Sequence, residues 1–309
     1  MTTLLLTHPA CLEHQTPPGH PERADRLRAV AQVLAGDRFN ALVRGEAAEG
    51  TLDSVTLCHN ERYVAEIRRV APASGLIYLD GDTSMSPGTW QAVMRGVGGA
   101  VGATDAVMSG KHHNAFVAIR PPGHHAEIGR PMGFCLFDNA AIAARHAQRK
   151  YGIARAAVVD FDVHHGNGTQ DIFWADKTVM YCSTHQMPLF PGTGARGERG
   201  EHDTIVNAPL ASEDDGAKFR AAFENAILPR LQEFAPELII VSAGFDAHYR
   251  DPLASLNLKA EDFGWVTRKL MDVADHSAGG RIVSLLEGGY DLQGLQESVA
   301  AHVSALMGA

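Results

Sequence analysis

Asp160, Asp162 and His164 stand at alternate positions in the stretch Ala157-Val-Val-Asp-Phe-Asp-Val-His-His-Gly-Asn-Gly-Thr169. Two carboxylates and an imidazole brought to one point repel or lie unpaired unless something cationic holds them. A divalent metal is the simplest holder, and mixed oxygen and nitrogen donors suit zinc. A hydrogen-bonded polar cluster at a sheet rim is the plainer reading of the same residues. The run before them, Ala156 to Val159, is too short for a helix and rich in β-branched residues, which predicts a buried strand. Alternation along that strand would send all three side chains to one side.

Other residues with chemical potential fall at the ends of other apolar runs. Leu238-Ile-Ile-Val241 leads to Asp246, Ala115-Phe-Val-Ala-Ile119 leads to His124 and His125, and Ile282-Val-Ser-Leu-Leu286 leads to Tyr290. Asp162, His164 and Asp246 would give a metal three protein ligands and one open position, the catalytic rather than the structural arrangement. Such an ion polarises a carbonyl and acidifies a water. His124 and His125, on a turn stiffened by Pro121 and Pro122, are placed to manage protons. Asp160 could orient one of those imidazoles or hold a second cation. Tyr290, after Gly288 and Gly289, could aim a hydroxyl at an oxyanion opposite the metal.

Each feature alone has a duller explanation. A second His pair, His112-His113, reads as a solvated loop, a lone strand-end Asp is often a cap, and Gly-Gly-Tyr is often a turn. Their shared placement at strand ends is what argues for a site.

The elements that must carry them follow in sequence. Met1 to Thr7 reads as a first strand, and His8 to Pro21 as a loop. A helix is expected from about Pro21 to Leu34, with Gly36 as its stop, and another over Glu61 to Val70. Leu79 to Met85 reads as a loop, and Ser86 as the cap of a helix with Pro87 in its first turn and Gly110 beyond its end. Strands at Ala115–Ile119, Val179–Cys182, Leu238–Val241 and Ile282–Leu286 alternate with helices at about Asn139–Tyr151, Asp214–Phe234 and Lys259–Asp275, and a last helix closes the chain. Continuous apolar strands alternating with helices predict an α/β fold: one domain over 1–309, with a mostly parallel multi-stranded sheet covered on both faces. In such sheets ligands bind outside the carboxyl ends of the strands.

With 309 residues and 45% hydrophobic content the chain can bury a large core. Its 27 Lys+Arg against 36 Asp+Glu give a net charge of −9, which argues against a nucleic-acid surface. Cys11, Cys58, Cys135 and Cys182 are scattered, with no metal-knuckle or redox spacing, and read as reduced thiols of a cytoplasmic protein, Cys135 and Cys182 buried. The start lacks the features of a signal peptide, and no stretch approaches a membrane span.

Taken together the motifs resemble those of a histone deacetylase of the class II type, or one of its bacterial deacetylase-like relatives. They are Gly19-His-Pro-Glu-Arg23, Arg120-Pro-Pro-Gly-His-His-Ala126, Gly133-Phe-Cys135, Asp160 to Thr169, Phe190-Pro-Gly-Thr-Gly194, Ser242-Ala-Gly-Phe-Asp-Ala247 and Glu287-Gly-Gly-Tyr290, spread over nearly the whole chain. The resemblance implies an arginase/deacetylase-type fold and zinc-dependent removal of acyl groups from amines. It implies Asp162, His164 and Asp246 as zinc ligands. His125 becomes the general base and then acid, His124 its electrostatic partner bonded to Asp160, and Tyr290 the group that polarises the amide carbonyl. Phe134 and Phe190 would wall an acyl-lysine tunnel, with Gly133 and Gly289 behind it. Asp82 would bind substrate backbone at the rim, and Arg23 would stand near the acetate exit. Two monovalent-cation sites, for K+ or Na+, are implied: one at Asp160, Asp162, His164, Ser183 and Thr184, the other near Phe173, Asp176, Val179 and Thr204. Asn167 stands where class I members have Asp, so the second imidazole would lack a carboxylate partner.

The expected substrate is an acyl-lysine protein or peptide, with acylated small amines such as acetylpolyamines as the alternative; no long dimerising insertion of the acetylpolyamine amidohydrolase kind is present. Acyl length, zinc or ferrous iron, and oligomeric state stay open. An arginase-like binuclear manganese hydrolase would need more carboxylates, but Gly166 follows His165 and Gly244 lies two before Asp246. A non-catalytic acyl-lysine binder is disfavoured because every catalytic position holds a competent residue. Gly192-Thr-Gly-Ala-Arg-Gly197 spells a dinucleotide fingerprint but lacks the preceding strand and following helix. Asn167-Gly-Thr169 spells a glycosylation sequon, irrelevant to a buried cytoplasmic site.

Overall fold

The computed structural model describes residues 2–308, so Met1 and Ala309, the ends of the expected 1–309 domain, lie outside the described residues. Among the described residues ten strands occur in chain order: β1 Thr3–Thr7, β2 Val43–Glu46, β3 Ile77–Tyr78, β4 Ser84–Met85, β5 Asn114–Val117, β6 Ala156–Asp160, β7 Val179–Ser183, β8 Ile205–Asn207, β9 Leu238–Ala243 and β10 Ile282–Leu286. Eight of them form one sheet in the order β2-β1-β5-β10-β9-β6-β7-β8, while β3 and β4 pair as a small hairpin. Every pairing in the large sheet is parallel. Strands β5, β6, β7, β9 and β10 are buried along their whole length, which is why they read as unbroken apolar runs.

The α-helices are α1 Ala24–Leu34, α2 Leu52–Val55, α3 Glu61–Val70, α4 Thr89–Met108, α5 Asn139–Tyr151, α6 Asn167–Phe173, α7 Gly216–Ala222, α8 Leu228–Phe234, α9 Ala260–Val273 and α10 Leu292–Leu306. Two of these match their expected ends, α3 and α5. Asn60 caps α3 by accepting from Tyr63 N, and Asp138 caps α5 by accepting from Ala141 N. The α5 terminus is Gly152 at φ 69°, a left-handed stop that glycine adopts without penalty. No helix among the described residues is long and apolar enough to cross a membrane.

Several expectations are corrected. The first helix starts at Ala24 rather than Pro21, because Glu22 is drawn into the core by two arginines. Pro87 precedes α4 instead of lying in its first turn, and Ser86 acts through Thr89, whose Oγ1 accepts its N–H at 2.8 Å. The expected helix over Asp214–Phe234 is broken by a π turn at Phe223–Ile227, next to Pro229, which has no N–H to continue the ladder. His112 is not solvated: it is buried while His113 stays exposed. All four cysteines are free and buried, Cys11 and Cys58 as well as Cys135 and Cys182. The short edge strands β2 and β8, the hairpin β3–β4 and helix α6 carry too few periodic residues to have been legible.

Candidate active site

Four adjacent strands in the middle of the sheet, β5, β10, β9 and β6, deliver the chemistry at their carboxyl ends. The His pair follows β5, Tyr290 follows β10, Asp246 follows β9, and Asp160, Asp162 and His164 follow β6. Only Asp160 is in a strand, so alternation does not place the other two. A ladder of side chain–backbone turns does. Asp160 Oδ1 accepts from Asp162 N at 3.0 Å, and Asp162 Oδ1 accepts from His164 N at 2.9 Å. Each Asp thereby folds its own backbone two residues on.

Asp162, His164 and Asp246 are buried, and one potential ligand atom from each lies within 4.8 Å of the others. His164 Nδ1 is 3.2 Å from Asp162 Oδ1 and 3.1 Å from Asp246 Oδ2. Tetrahedral zinc with bonds of about 2.0–2.1 Å needs ligand atoms roughly 3.3 Å apart, so the donor set fits that ion in type and spacing. The remaining carboxylate oxygens are occupied: Gly288 N donates to Asp162 Oδ2 at 2.8 Å and Val163 N to Asp246 Oδ1 at 2.8 Å. These bonds aim Asp162 Oδ1 and Asp246 Oδ2 inward, toward His164. Burial alone would lower the His164 pKa, but the bonds to Asp162 and Asp246 raise it to about 10. The backbone must pass very close to the carboxylates, since a Cβ at Gly244 would run into Asp162 and one at Gly288 into both Asp246 and Asp162.

The two adjacent histidines differ in state. His124 Nδ1 lies 2.9 Å from Asp160 Oδ2, which also accepts from Tyr181 Oη at 3.1 Å. Burial disfavours its charge, but Asp160 and Asp162 outweigh that and hold its pKa well above the ordinary value. His125 Nδ1 donates to Asn167 Oδ1 at 2.8 Å. Burial and the neighbouring His124 and His164 drive its pKa well below the ordinary value. The two rings, 4.0 Å apart between centroids, are thus pushed in opposite directions, His124 toward its charged form and His125 toward its neutral one.

A cavity of about 260 Å³ opens over these groups, lined by Asp82, His125, Gly133, Phe134, His164, Leu189, Phe190, Leu253 and Tyr290. Larger clefts, of about 660, 560, 420 and 280 Å³, lie elsewhere and do not reach the Asp162–His164–Asp246 cluster. Phe190 packs edge-on to His125 at 5.1 Å between centroids, and Phe134 edge-on to Tyr290 at 6.0 Å. Gly133 and Phe134 both have positive φ, 54° and 70°, and Thr83 Oγ1 accepts from Phe134 N at 3.0 Å to hold the unusual phenylalanine backbone. Burial pushes the Tyr290 pKa well up, so its hydroxyl keeps its proton, against a partial offset from Arg26. Gly289 lies behind Tyr290 with φ 116°, outside the cavity lining.

Arg23, expected near the acetate exit, is exposed and paired with Asp25 at 3.3 Å, and it does not line this cavity. The arginine beneath the site is Arg26, fully buried, its guanidinium carbon 4.8 Å from the Tyr290 ring centroid. Arg26 Nε donates to Gly289 O at 2.6 Å, and its NH2 group donates to Glu287 O. Glu22 binds Arg120 through both oxygens at 2.7 Å and Arg26 at 3.2 Å. A cation on the apolar face of α1, beside Leu27 and Val30, was the one sequence signal for this arrangement. Glu287, Asp251 and Tyr181 also escaped notice as site residues. The Asp251 carboxylate accepts from Tyr290 N at 2.7 Å, and no local pattern announces such a contact.

Of the expected monovalent-cation groups, Asp160 O accepts from Thr184 N at 3.1 Å, Ser183 Oγ meets His185 Nδ1 at 2.8 Å, and Thr184 Oγ1 is buried without a partner. At the second, Asp176 O accepts from Thr204 Oγ1 at 2.7 Å and Phe173 O from Asp176 N at 3.0 Å, next to the start of β7 at Val179. The Asp176 carboxylate is already engaged there by Arg145 at 2.5 Å, so a cation could take only carbonyl oxygens.

A parallel sheet carrying a buried carboxylate–imidazole cluster able to hold a metal ion, beside a paired-histidine turn at its carboxyl edge, is the site architecture of an α/β hydrolase. The chain belongs to the histone deacetylase family: residues 20–306 match the model of the histone deacetylase domain. It is similar to the uncharacterized protein slr0245 of Synechocystis sp., 40% identical over 96% of each chain. It is also similar to histone deacetylase 14, chloroplastic, of Arabidopsis thaliana, 38% identical over 94% of this chain and 73% of that one. Among solved structures, the HDA15 HD domain superposes with a TM-score of 0.94 at 33% identity, covering 100% of this chain and 89% of that chain. The fold class expected from the strand–helix alternation is the one found, and the family acts on acylated amines.

Proposed function

We propose that the protein is a zinc-dependent amidohydrolase that removes acetyl or related acyl groups from the side-chain amine of acyl-lysine in proteins or peptides. The observation that carries this reading is the meeting, at one cavity, of a mononuclear ligand set, Asp162, His164 and Asp246, with the His125 imidazole and the Tyr290 hydroxyl. Asp162, His164 and Asp246 would hold the ion, which when bound supplies Lewis-acid polarisation and an acidified water. His125 takes the proton of the attacking water at Nε2, because Asn167 engages its Nδ1. His124, cationic beside Asp160, keeps His125 neutral and adds positive charge where the oxyanion develops. Tyr290 donates its hydroxyl proton in a hydrogen bond to that oxyanion. His125 then delivers its proton to the departing amine, so the proton taken from water leaves with the product.

The slot favours a flat, apolar chain: Phe134, Phe190, Leu189 and Leu253 form its walls, and Asp82 is the carboxylate in its lining. That supports acyl-lysine over an acylated polyamine, whose additional ammonium groups would gain from more than one carboxylate. We also propose a structural K+ or Na+ beside Asp160, Ser183 and Thr184, where the partnerless Thr184 Oγ1 is a suitable hard ligand. The free, buried cysteines suit a reducing compartment, and we place the protein in the cytoplasm. The test is a panel of acyl-lysine peptides and acylated polyamines, assayed with metal-depleted and zinc-reconstituted protein. No turnover of any acyl-lysine peptide by the zinc form would remove the reading, and two manganese ions per chain would point to the arginase-like alternative.

A further inference from the structure

The His124–His125 turn and the Tyr290 loop leave different strands, β5 and β10, and the covalent chain does not fix their separation. We propose that Glu287 is a positioning residue that sets it, tying the proton-handling turn to the oxyanion-binding loop. This rests on the amidohydrolase reading above. Glu287 directly follows β10, three residues before Tyr290, and is 1% exposed. Its Oε2 accepts from Gly123 N at 2.7 Å and from His124 N at 3.3 Å. Both cross-loop bonds therefore end on one side-chain atom. Oε1 has no hydrogen-bond partner among the described residues.

The backbone around Glu287 is anchored on every side. Its N–H donates to Ala243 O at 2.9 Å, its carbonyl accepts from Arg26, and the next N–H, of Gly288, reaches Asp162 Oδ2 at 2.8 Å. The turn is fixed at its far end as well, because Arg120 shares Glu22 with Arg26. The result is a closed buried circuit: Arg120, Glu22, Arg26, the Glu287 carbonyl, the Glu287 carboxyl and back to Gly123. On its other side the turn packs against the start of α5 so closely that only glycine fits: a Cβ at Gly123 would stand 2.8 Å from Asn139 N and Phe137 O. Glu287 is thus the one side chain in this circuit that reaches the Gly123 and His124 N–H groups, at the head of the turn that carries both catalytic imidazoles.

Side-chain length, not charge, is what this role requires. Gln at 287 keeps an oxygen in the same place for both N–H groups. Asp is shorter by on the order of 1.5 Å, which takes a 2.7 Å bond out of hydrogen-bonding range. Misplacing reacting groups by about 1 Å costs about a hundredfold in rate. In the full-length zinc form, Glu287→Asp is expected to lower kcat by roughly ten- to a hundredfold, with KM within about threefold and one metal per chain. Glu287→Gln is expected to return kcat to within about threefold of the parent. Melting temperature and metal content of each variant separate a shifted turn from a damaged fold. Parental kcat in Glu287→Asp overturns the positioning role. So does a metal-loaded, folded Glu287→Gln that loses more than tenfold, an outcome that decides the matter even if the Asp variant does not fold. A parent without turnover on any acylated amine overturns the functional reading itself, whereas an active parent with an indifferent Glu287→Asp overturns only this inference.

Discussion

His125 donates its Nδ1 proton to the amide oxygen of Asn167 at 2.8 Å, whereas the neighbouring His124 faces a carboxylate, Asp160, at 2.9 Å. One atom type thus separates the proton acceptor from its cationic partner. Asn167→Asp should raise the His125 pKa, because a carboxylate favours the charged ring. The base is then protonated at higher pH, so the acid limb of kcat/KM should move up by about one pH unit or more. The variant should also be less stable, since Asn167 Nδ2 now donates to Glu127 Oε1 at 2.7 Å and a second carboxylate there would repel it. An unmoved acid limb would mean that His125 is not the group titrating in that profile.

Tyr290 has its proton secured by burial and its backbone N–H clamped by Asp251 at 2.7 Å, so removing the hydroxyl alone should leave the loop in place. Tyr290→Phe should cost kcat about 10²–10³-fold, the usual loss for one oxyanion donor, at unchanged metal content. Parental turnover in this variant would remove Tyr290 from the chemistry.

Chelation should abolish turnover and lower the melting temperature, since the ion is expected to bind the folded chain only. Gly244→Ala should mimic part of this effect without touching a ligand, because the new methyl group would collide with the Asp162 carboxylate. Metal stoichiometry by elemental analysis is the readout. A variant that still holds one zinc at parental affinity would show that the carboxylate can yield.

His302 lies in the core between Thr267 Oγ1 at 2.6 Å and Ser284 Oγ at 2.8 Å, and burial lowers its pKa to about 3. The unfolded chain, with an ordinary value near 6.5, takes up the proton first as pH falls. Its contribution to stability is therefore complete above pH 6.5 and is lost progressively toward pH 3, at most about 5 kcal/mol. His302→Gln should melt lower than the parent at pH 7 yet lose less further stability on acidification. Parallel melting curves against pH for the two proteins would contradict this.

Arg23 and Arg26 make a controlled pair on one helix start. Arg23→Ala, at the surface beside Asp25, should change stability by no more than about 0.5 kcal/mol. Arg26→Ala strips a buried partner from Glu22 and should cost about 3–5 kcal/mol. Equal melting temperatures would show that the buried circuit tolerates a missing cation.

By itself the sequence determined the alternation of strands and helices, the burial of β6, β9 and β10, and the residue types gathered at their ends. Those follow from local rules: apolar runs have a period, caps such as Asn60 and Asp138 have a spacing, and strand ends are where polar residues resume. It did not determine how Asp162 and His164 meet, because they lie beyond the strand and are aimed by turns closed through Asp160 and Asp162. Nor did it show that Glu22, Arg26, Arg120 and Glu287 form one buried circuit. Those four are spread over 266 positions of the numbering, from Glu22 to Glu287, and only the packing of α1 and the central strands brings them together. A charge pair far apart in the chain leaves no periodic trace; it exists only once the surrounding apolar surface has closed over it.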